Sequence, residues 1–168
     1  MAHHSIKAVQ RIPISVDEAW RFFSVPENLV RITPADFSFQ IISHHHGERI
    51  YQGQIIEYKV RPLWNIPWYW MTEITHVQPQ QYFVDEQRYG PFGIWHHQHH
   101  FDPVAGGVEM TDIVHYSVPG WWLGSLVNKL IVGKKLEELF RYRFGEIEKL
   151  FGKWEGQCCN VKLYQSYK

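Results

Sequence analysis

Cysteine is scarce in this chain, and what there is cannot brace a fold. The two residues, Cys158 and Cys159, are adjacent in a polar C-terminal segment. Neighbouring cysteines rarely bridge each other, and two make no disulfide framework, which points to a reduced, cytoplasmic protein. Net charge is missing as well, since Lys+Arg and Asp+Glu both number 17. A balanced chain has no bulk electrostatic pull toward nucleic acid, and none is expected as a partner. No apolar run approaches the ~18–20 residues of a membrane-spanning helix. Residues 1–15 lack the continuous apolar stretch of a secretory signal. There is no serine or cysteine nucleophile motif, which argues against acyl-enzyme chemistry. Internal repeats and low-complexity segments are absent too. We assign no cofactor from the sequence.

What is present in excess is aromatic. Of 168 residues, 45% are hydrophobic and 16% are Phe, Trp or Tyr, including 8 Trp. That length suits one domain with a tail, and that composition suits a substantial core. Surplus aromatic side chains either fill such a core or line a pocket for an apolar ligand.

The periodicity changes twice along the chain. Residues 6–14 alternate loosely as a strand. Ser15 followed by Glu18 makes a capping box, opening a helix with Trp20 and Phe23 on one face. Pro26 stops it, and 26–32 forms a second short helix or turn before Thr33-Pro34. From there the period is two. Strands are expected over 39–45, 50–61, 68–76, 82–89, 94–101 and 108–118, with Pro/Gly/Asn/Asp-type turns between them. Short strands joined by short turns make an antiparallel meander. After Pro119-Gly120 the spacing becomes helical. Leu136, Phe140, Phe144, Ile147 and Phe151 form one stripe, with Glu137, Glu138, Arg141 and Lys149 opposite. The helix starts near Leu123 or Lys134, with a break near Gly133, and runs to Phe151. Residues 152–168 show no period and are expected to be a loose polar tail after a domain of 1–151. The order is α+β: about six to seven strands, two short early helices, and one long helix able to cover an apolar sheet face.

The strand at 94–101 carries the run His96-His97-Gln98-His99-His100. Alternation puts Trp95, His97, His99 and Phe101 on one face, and Ile94, His96, Gln98 and His100 on the other. The Trp and Phe mark the first face as buried. On the next strand Met110, Asp112, Val114 and Tyr116 share a face, taken as inward, as do Phe83, Asp85 and Gln87 on the strand before. Two histidines and two carboxylates are therefore expected on an otherwise aromatic inner surface. A buried charge needs a partner or it neutralises, so His97 or His99 should meet Asp112 or Asp85. Two roles stay open: polar anchors for a ligand, or an internal network that only ties strands together. Two histidines without fixed further partners are a low-specificity metal pattern, and no metal is assigned. The outward His96 and His100 should be solvated, and His44-His45-His46 reads as a polar turn.

These residues resemble a known family. Trp70 to Thr75, Phe83 to Gln87, Gly90-Pro91-Phe92, Trp95 to Phe101, and Gly107 to Asp112 with Tyr116 and Pro119 resemble the START-like, or SRPBCC, superfamily. Within it, the likeness is to a bacterial polyketide cyclase/dehydrase and lipid transport group, over residues 6–151. The resemblance implies a helix-grip fold: a curved antiparallel sheet holding a long C-terminal helix around a deep cavity. It implies binding of lipids, polyketides or other apolar molecules, but no single activity. By position, Trp95, His97, His99, Asp112 and Tyr116 would face the cavity, with no catalytic role to transfer.

Three functions are compatible with this pattern. The first is binding of a small apolar ligand, with Tyr58, Trp70, Trp95, Phe140 and Phe144 as walls and Asp85, Gln87, His97, His99, Asp112 and Tyr116 nearby. The second is an enzyme in which His97 or His99, poised by Asp112 or Asp85, acts as general base. The third is transient contact with a membrane surface or partner through Trp121-Trp122-Leu123 and the apolar stretch up to Lys134-Lys135. Residues 61–68, proline-bounded and aromatic, are either a lid or an ordinary strand connection. Oligomeric state is not encoded in any of these features.

Overall fold

In a computed structural model of the chain, residues 3–43, 49–61, 66–119 and 131–165 are described. The first strand, β1 (His3–Ile12), ends at Pro13, and α1 (Val16–Phe23) follows at once. Ser15 Oγ accepts from the Glu18 amide at 3.2 Å, and the Ser15 amide donates to Glu18 Oε2 at 3.0 Å, so the capping box forms as expected. Such a cap contributes about 1 kcal/mol to a helix start. Pro26 opens α2 (Pro26–Arg31) at a position where its missing N–H costs nothing.

Among the described residues, eight strands form one antiparallel sheet: β2 (Gln40–Ile41), β3 (Ile55–Val60), β4 (Trp68–Gln78), β5 (Tyr82–Tyr89), β6 (Ile94–Val104), β7 (Gly107–Ser117) and β8 (Asn160–Gln165), besides β1. Their spatial order is β2-β3-β4-β5-β6-β7-β1-β8. The meander from β2 to β7 is thus closed at one end by β1. Two register shifts between β4 and β5, at Met71/Thr72 and Ile74/His76, are bulges of the kind that bend a sheet. The last helix, α3 (Gly133–Phe151), buries Leu136, Phe140, Arg143 and Ile147. This is the helix-grip architecture. No helix among the described residues is long and apolar enough to cross a membrane.

Several expected boundaries differ. Of the strand expected over 39–45, Gln40 and Ile41 pair with β3 at the sheet edge, and 44–45 lie outside the described residues. The strand expected from 50 starts at Ile55, because residues 51–54 turn: the Gln54 amide bonds to Tyr51 O at 3.1 Å and Gly53 has φ 87°. The segment after Gly152 is more than a loose tail. Its residues 160–165 form β8, antiparallel to β1, with Ala8 opposite Val161. Leu163 and Tyr164 are exposed there. Val161 packs against the core while the other described side chains of this edge strand are exposed, so no apolar alternation announces it. The polar turn 44–46, the centre of the lid segment at 62–65, and Trp121-Trp122-Leu123 with the stretch to Leu130 lie outside the described residues.

Trp20 packs edge-on against Phe83 and Phe101, with centroids 6.0 and 5.7 Å away, tying α1 to the inner face of the sheet. At the β6–β7 hairpin, Gly106 takes φ 91° in the turn. Beside it, a Cβ on Gly107 would fall 2.1 Å from Ile12 O, so β1 can close on β7 only because that Cβ is absent.

Candidate functional site

The strand register explains how the polar cluster assembles. Asp85 on β5 stands directly opposite His97 on β6, and His99 stands directly opposite Asp112 on β7. All four side chains leave the same face of the sheet, where cross-strand and diagonal neighbours meet. The two aligned hydrogen bonds run diagonally. His97 Nε2 meets Asp112 Oδ1 at 3.1 Å, and His99 Nε2 meets Asp85 Oδ2 at 3.1 Å. The directly opposed pairs also approach, His97 Nδ1 to Asp85 Oδ2 at 3.4 Å and His99 Nδ1 to Asp112 Oδ1 at 2.7 Å. Those two contacts lie off the N–H direction and act as charge contacts only. Each imidazole therefore sits between two carboxylates, and the two rings lie 3.7 Å apart. Trp95 Nε1 donates to Asp85 Oδ1 at 3.3 Å, and Phe83 stacks on His99 at 4.1 Å.

His97, His99 and Asp112 are buried, and Asp85 nearly so. Burial alone would raise both carboxyls. The facing His97 and the bond from His99 overcome it at Asp85, and the charge of His99 with the bond from His97 overcomes it at Asp112, leaving both below the usual range. For His97, burial and the nearby His99 outweigh the two carboxylates and lower it. For His99, burial is outweighed by Asp112 and Asp85, which raise it. The opposite shifts favour a proton on His99 over one on His97, and when only His99 carries one the cluster holds two carboxylates, one imidazolium and one neutral imidazole.

A fifth member comes from the helix. Arg143 is 6% exposed, and its Nε has no hydrogen-bond partner among the described residues. Burial lowers it while the charges of Asp112 and Asp85 support it, and its guanidinium lies 5.1 Å from the Phe140 ring. Its positive charge balances the second carboxylate. Sequence reading missed Arg143, although it falls on the stripe of Leu136, Phe140 and Ile147. An arginine at an apolar position of that stripe was the available signal.

The cluster faces a cavity of about 150 Å³ between the sheet, α1, α2 and α3. Of the residues singled out from the sequence, Tyr58, Trp70, Asp85, Trp95, His97, His99 and Phe140 line it, and Arg143 joins them. Tyr58 is buried, which pushes its hydroxyl up. The Trp70 indole N–H has no hydrogen-bond partner among the described residues. The structure places four others elsewhere. Asp112 sits behind the histidines and, with Phe144, borders a separate space of about 20 Å³. Gln87 clamps the β5–β6 turn, donating to Phe92 O at 2.7 Å and accepting from its amide at 3.3 Å. Tyr116 is core, 1% exposed, with its ring 5.5 Å from His4. On the outer face, His96 bonds to Glu86 at 2.9 Å and His100 to Gln98 at 3.0 Å. These two are half-buried in surface networks instead of freely solvated.

A curved antiparallel sheet gripping a C-terminal helix over an apolar cavity is a helix-grip fold, and solved structures share it. A protein of Chromobacterium violaceum aligns with a TM-score of 0.67 at 13% identity, covering 88% of this chain and 97% of that one. The ginseng major latex-like protein 151 from Panax ginseng aligns at 0.65 and 14% identity, covering 90% and 99%. A START superfamily protein from Mycobacterium smegmatis aligns at 0.58 and 15% identity, covering 88% and 99%. At such identities the likeness is one of fold. The sequence matches no family model and no curated protein.

Proposed function

We propose that this protein binds one small, mostly apolar molecule in the cavity between sheet and C-terminal helix. The ligand class is aromatic or polyketide-like, or a short lipid, with one hydrogen-bond-accepting group. The observation that carries this is the cavity itself. It combines apolar walls with two buried donors that lack a partner among the described residues, the Trp70 indole N–H and Arg143 Nε. Buried donors without partners are rare in native proteins and call for an explanation. An apolar cavity of ~150 Å³ is large enough for a benzene-sized ring, which favours a compact ligand over a two-chain lipid. His97, His99 and Asp85 are the polar anchors at one end. A cytoplasmic location belongs to the same proposal, supported by the free Cys158 and Cys159.

Native mass spectrometry of freshly purified protein is the direct test. A released apolar small molecule supports the proposal and identifies the ligand class. An apo mass, together with no binding of any apolar fluorescent probe, refutes it.

One observation favours an enzymatic variant. His97 is held by Asp112 through Nε2, and the depressed basicity of its ring keeps it unprotonated beside the cavity. A neutral imidazole oriented by a carboxylate suits proton abstraction next to a carbonyl. Turnover of any bound ligand would then fall at least ~100-fold in His97→Ala, the lower end of a general base's contribution. Unchanged turnover would eliminate His97 as the base.

A further inference from the structure

Asp85, His97 and His99 each offer a ligand atom, and these atoms lie within 4.8 Å of one another. Asp85 Oδ2 is the hub, 3.4 Å from His97 Nδ1 and 3.1 Å from His99 Nε2. Around a tetrahedral ion bound at ~2.0–2.1 Å, donor atoms sit ~3.3 Å apart. These two distances bracket that spacing, and the third, between the two imidazole donors, is within 4.8 Å.

The surroundings add a second, independent feature. Metal-bound imidazoles characteristically give their other nitrogen to a carboxylate, which fixes ring orientation. Asp112 takes that place for His97, 3.1 Å from Nε2 in an aligned hydrogen bond, and its carboxylate lies 2.7 Å from His99 Nδ1 as a charge contact. It lies on the far side from Asp85 and does not line the large cavity. The three donors do line it. An ion held by them would keep its remaining positions open toward the apolar space, the arrangement of an ion that meets a ligand and not of a closed structural site. Two histidines and one carboxylate on one side of an ion form the donor set used by open zinc and non-haem ferrous sites.

We propose that Asp85, His97 and His99 form a binding site for one divalent first-row transition-metal ion of the zinc or ferrous class, with Asp112 as the positioning residue behind both imidazoles. This goes beyond the apolar-ligand function and does not depend on it, because the ion binds without that ligand.

The test is titration of chelator-treated, full-length protein with Co²⁺ alone, followed by displacement with Zn²⁺. A companion variant carrying His44→Ser, His45→Ser and His46→Ser removes the competing histidine run. The expected result is one equivalent of Co²⁺ in both proteins, with visible absorption bands that Zn²⁺ abolishes. His99→Gln should lose the bands. Asp112→Asn should weaken affinity by about 10–100-fold while keeping them. Absence of stoichiometric binding to the wild type overturns the proposal. So does binding that vanishes in the triple serine variant, since the ion would then sit on the histidine run. If His99→Gln does not fold, NMR of the wild type decides. His97 and His99 ring signals shifted or broadened by Co²⁺ support the site, and unmoved signals overturn it.

Discussion

Replacing Asp112 by Asn tests the charge balance of the buried cluster. The amide keeps the shape of the carboxylate and can still accept from His97 Nε2, which lies 3.1 Å from Asp112 Oδ1. The change removes the negative charge that faces His99 at 2.7 Å and that supports the buried Arg143. Two buried cations would then share Asp85 alone. Breaking a buried ion pair from one side costs about 3–5 kcal/mol, and the hydrogen bond that the amide retains places this substitution near ~3 kcal/mol. For a domain of this size that is a fall in Tm of about 6–12 °C. The assay is urea unfolding of metal-free protein at neutral pH, with Arg143→Met as the companion. Arg143→Met alone should destabilise, because it leaves the second carboxylate without its cation. In the Asp112→Asn background it should cost at least ~1 kcal/mol less, since removing a second charge restores neutrality. If Asp112→Asn costs under ~1 kcal/mol, or Arg143→Met costs the same in both backgrounds, the four charges do not form one balanced unit.

Gly107→Ala puts a Cβ 2.1 Å from Ile12 O and 2.9 Å from the Trp154 ring. Because the first obstacle is backbone, a loss of at least ~2 kcal/mol is expected by chemical denaturation, and a loss below about 0.5 kcal/mol would show that β1 can back away. Ile56→Trp should fill the cavity that Ile56 lines and cut affinity for an apolar fluorescent probe at least ~10-fold, with modest cost to stability because the space exists already. Undiminished probe binding would place the ligand elsewhere. Removing residues 153–168 should strip β8 from β1 and uncover its edge. Lower Tm and concentration-dependent association by size exclusion are expected, and a monomer of unchanged Tm would show the segment to be dispensable.

Much of this molecule can be read from local pattern. The capping box at Ser15 and Glu18 needs only residues three apart, and it forms. Alternation of period two sorted Trp95, His97, His99 and Phe101 from Ile94, His96, Gln98 and His100, because a strand in contact with a core has one apolar face wherever it lies. The same rule placed Asp85 and Asp112 inward, and the need of a buried carboxylate for a cation paired them with the histidines. Helical spacing identified the stripe from Leu136 to Phe151.

Other features depend on contacts between distant segments. β8 has no sequence signature because its stability comes from backbone hydrogen bonds to β1, and backbone groups are the same in nearly every residue. Gln87 and Tyr116 share the inner-face parity of Asp85 and Asp112, yet one clamps a turn and the other fills the core. Parity says which way a side chain points, not how far the cavity extends. The diagonal pairing of His97 with Asp112 and His99 with Asp85 follows from three-strand register and sheet curvature. Arg143 enters the cluster only because α3 lies across those strands. Side-chain direction and local capping are set within a few residues of chain, and the sequence alone determines them. The cavity, the balanced charges and the convergence of three donors on one point are set by how the sheet bends around the helix, and only the tertiary structure decides them.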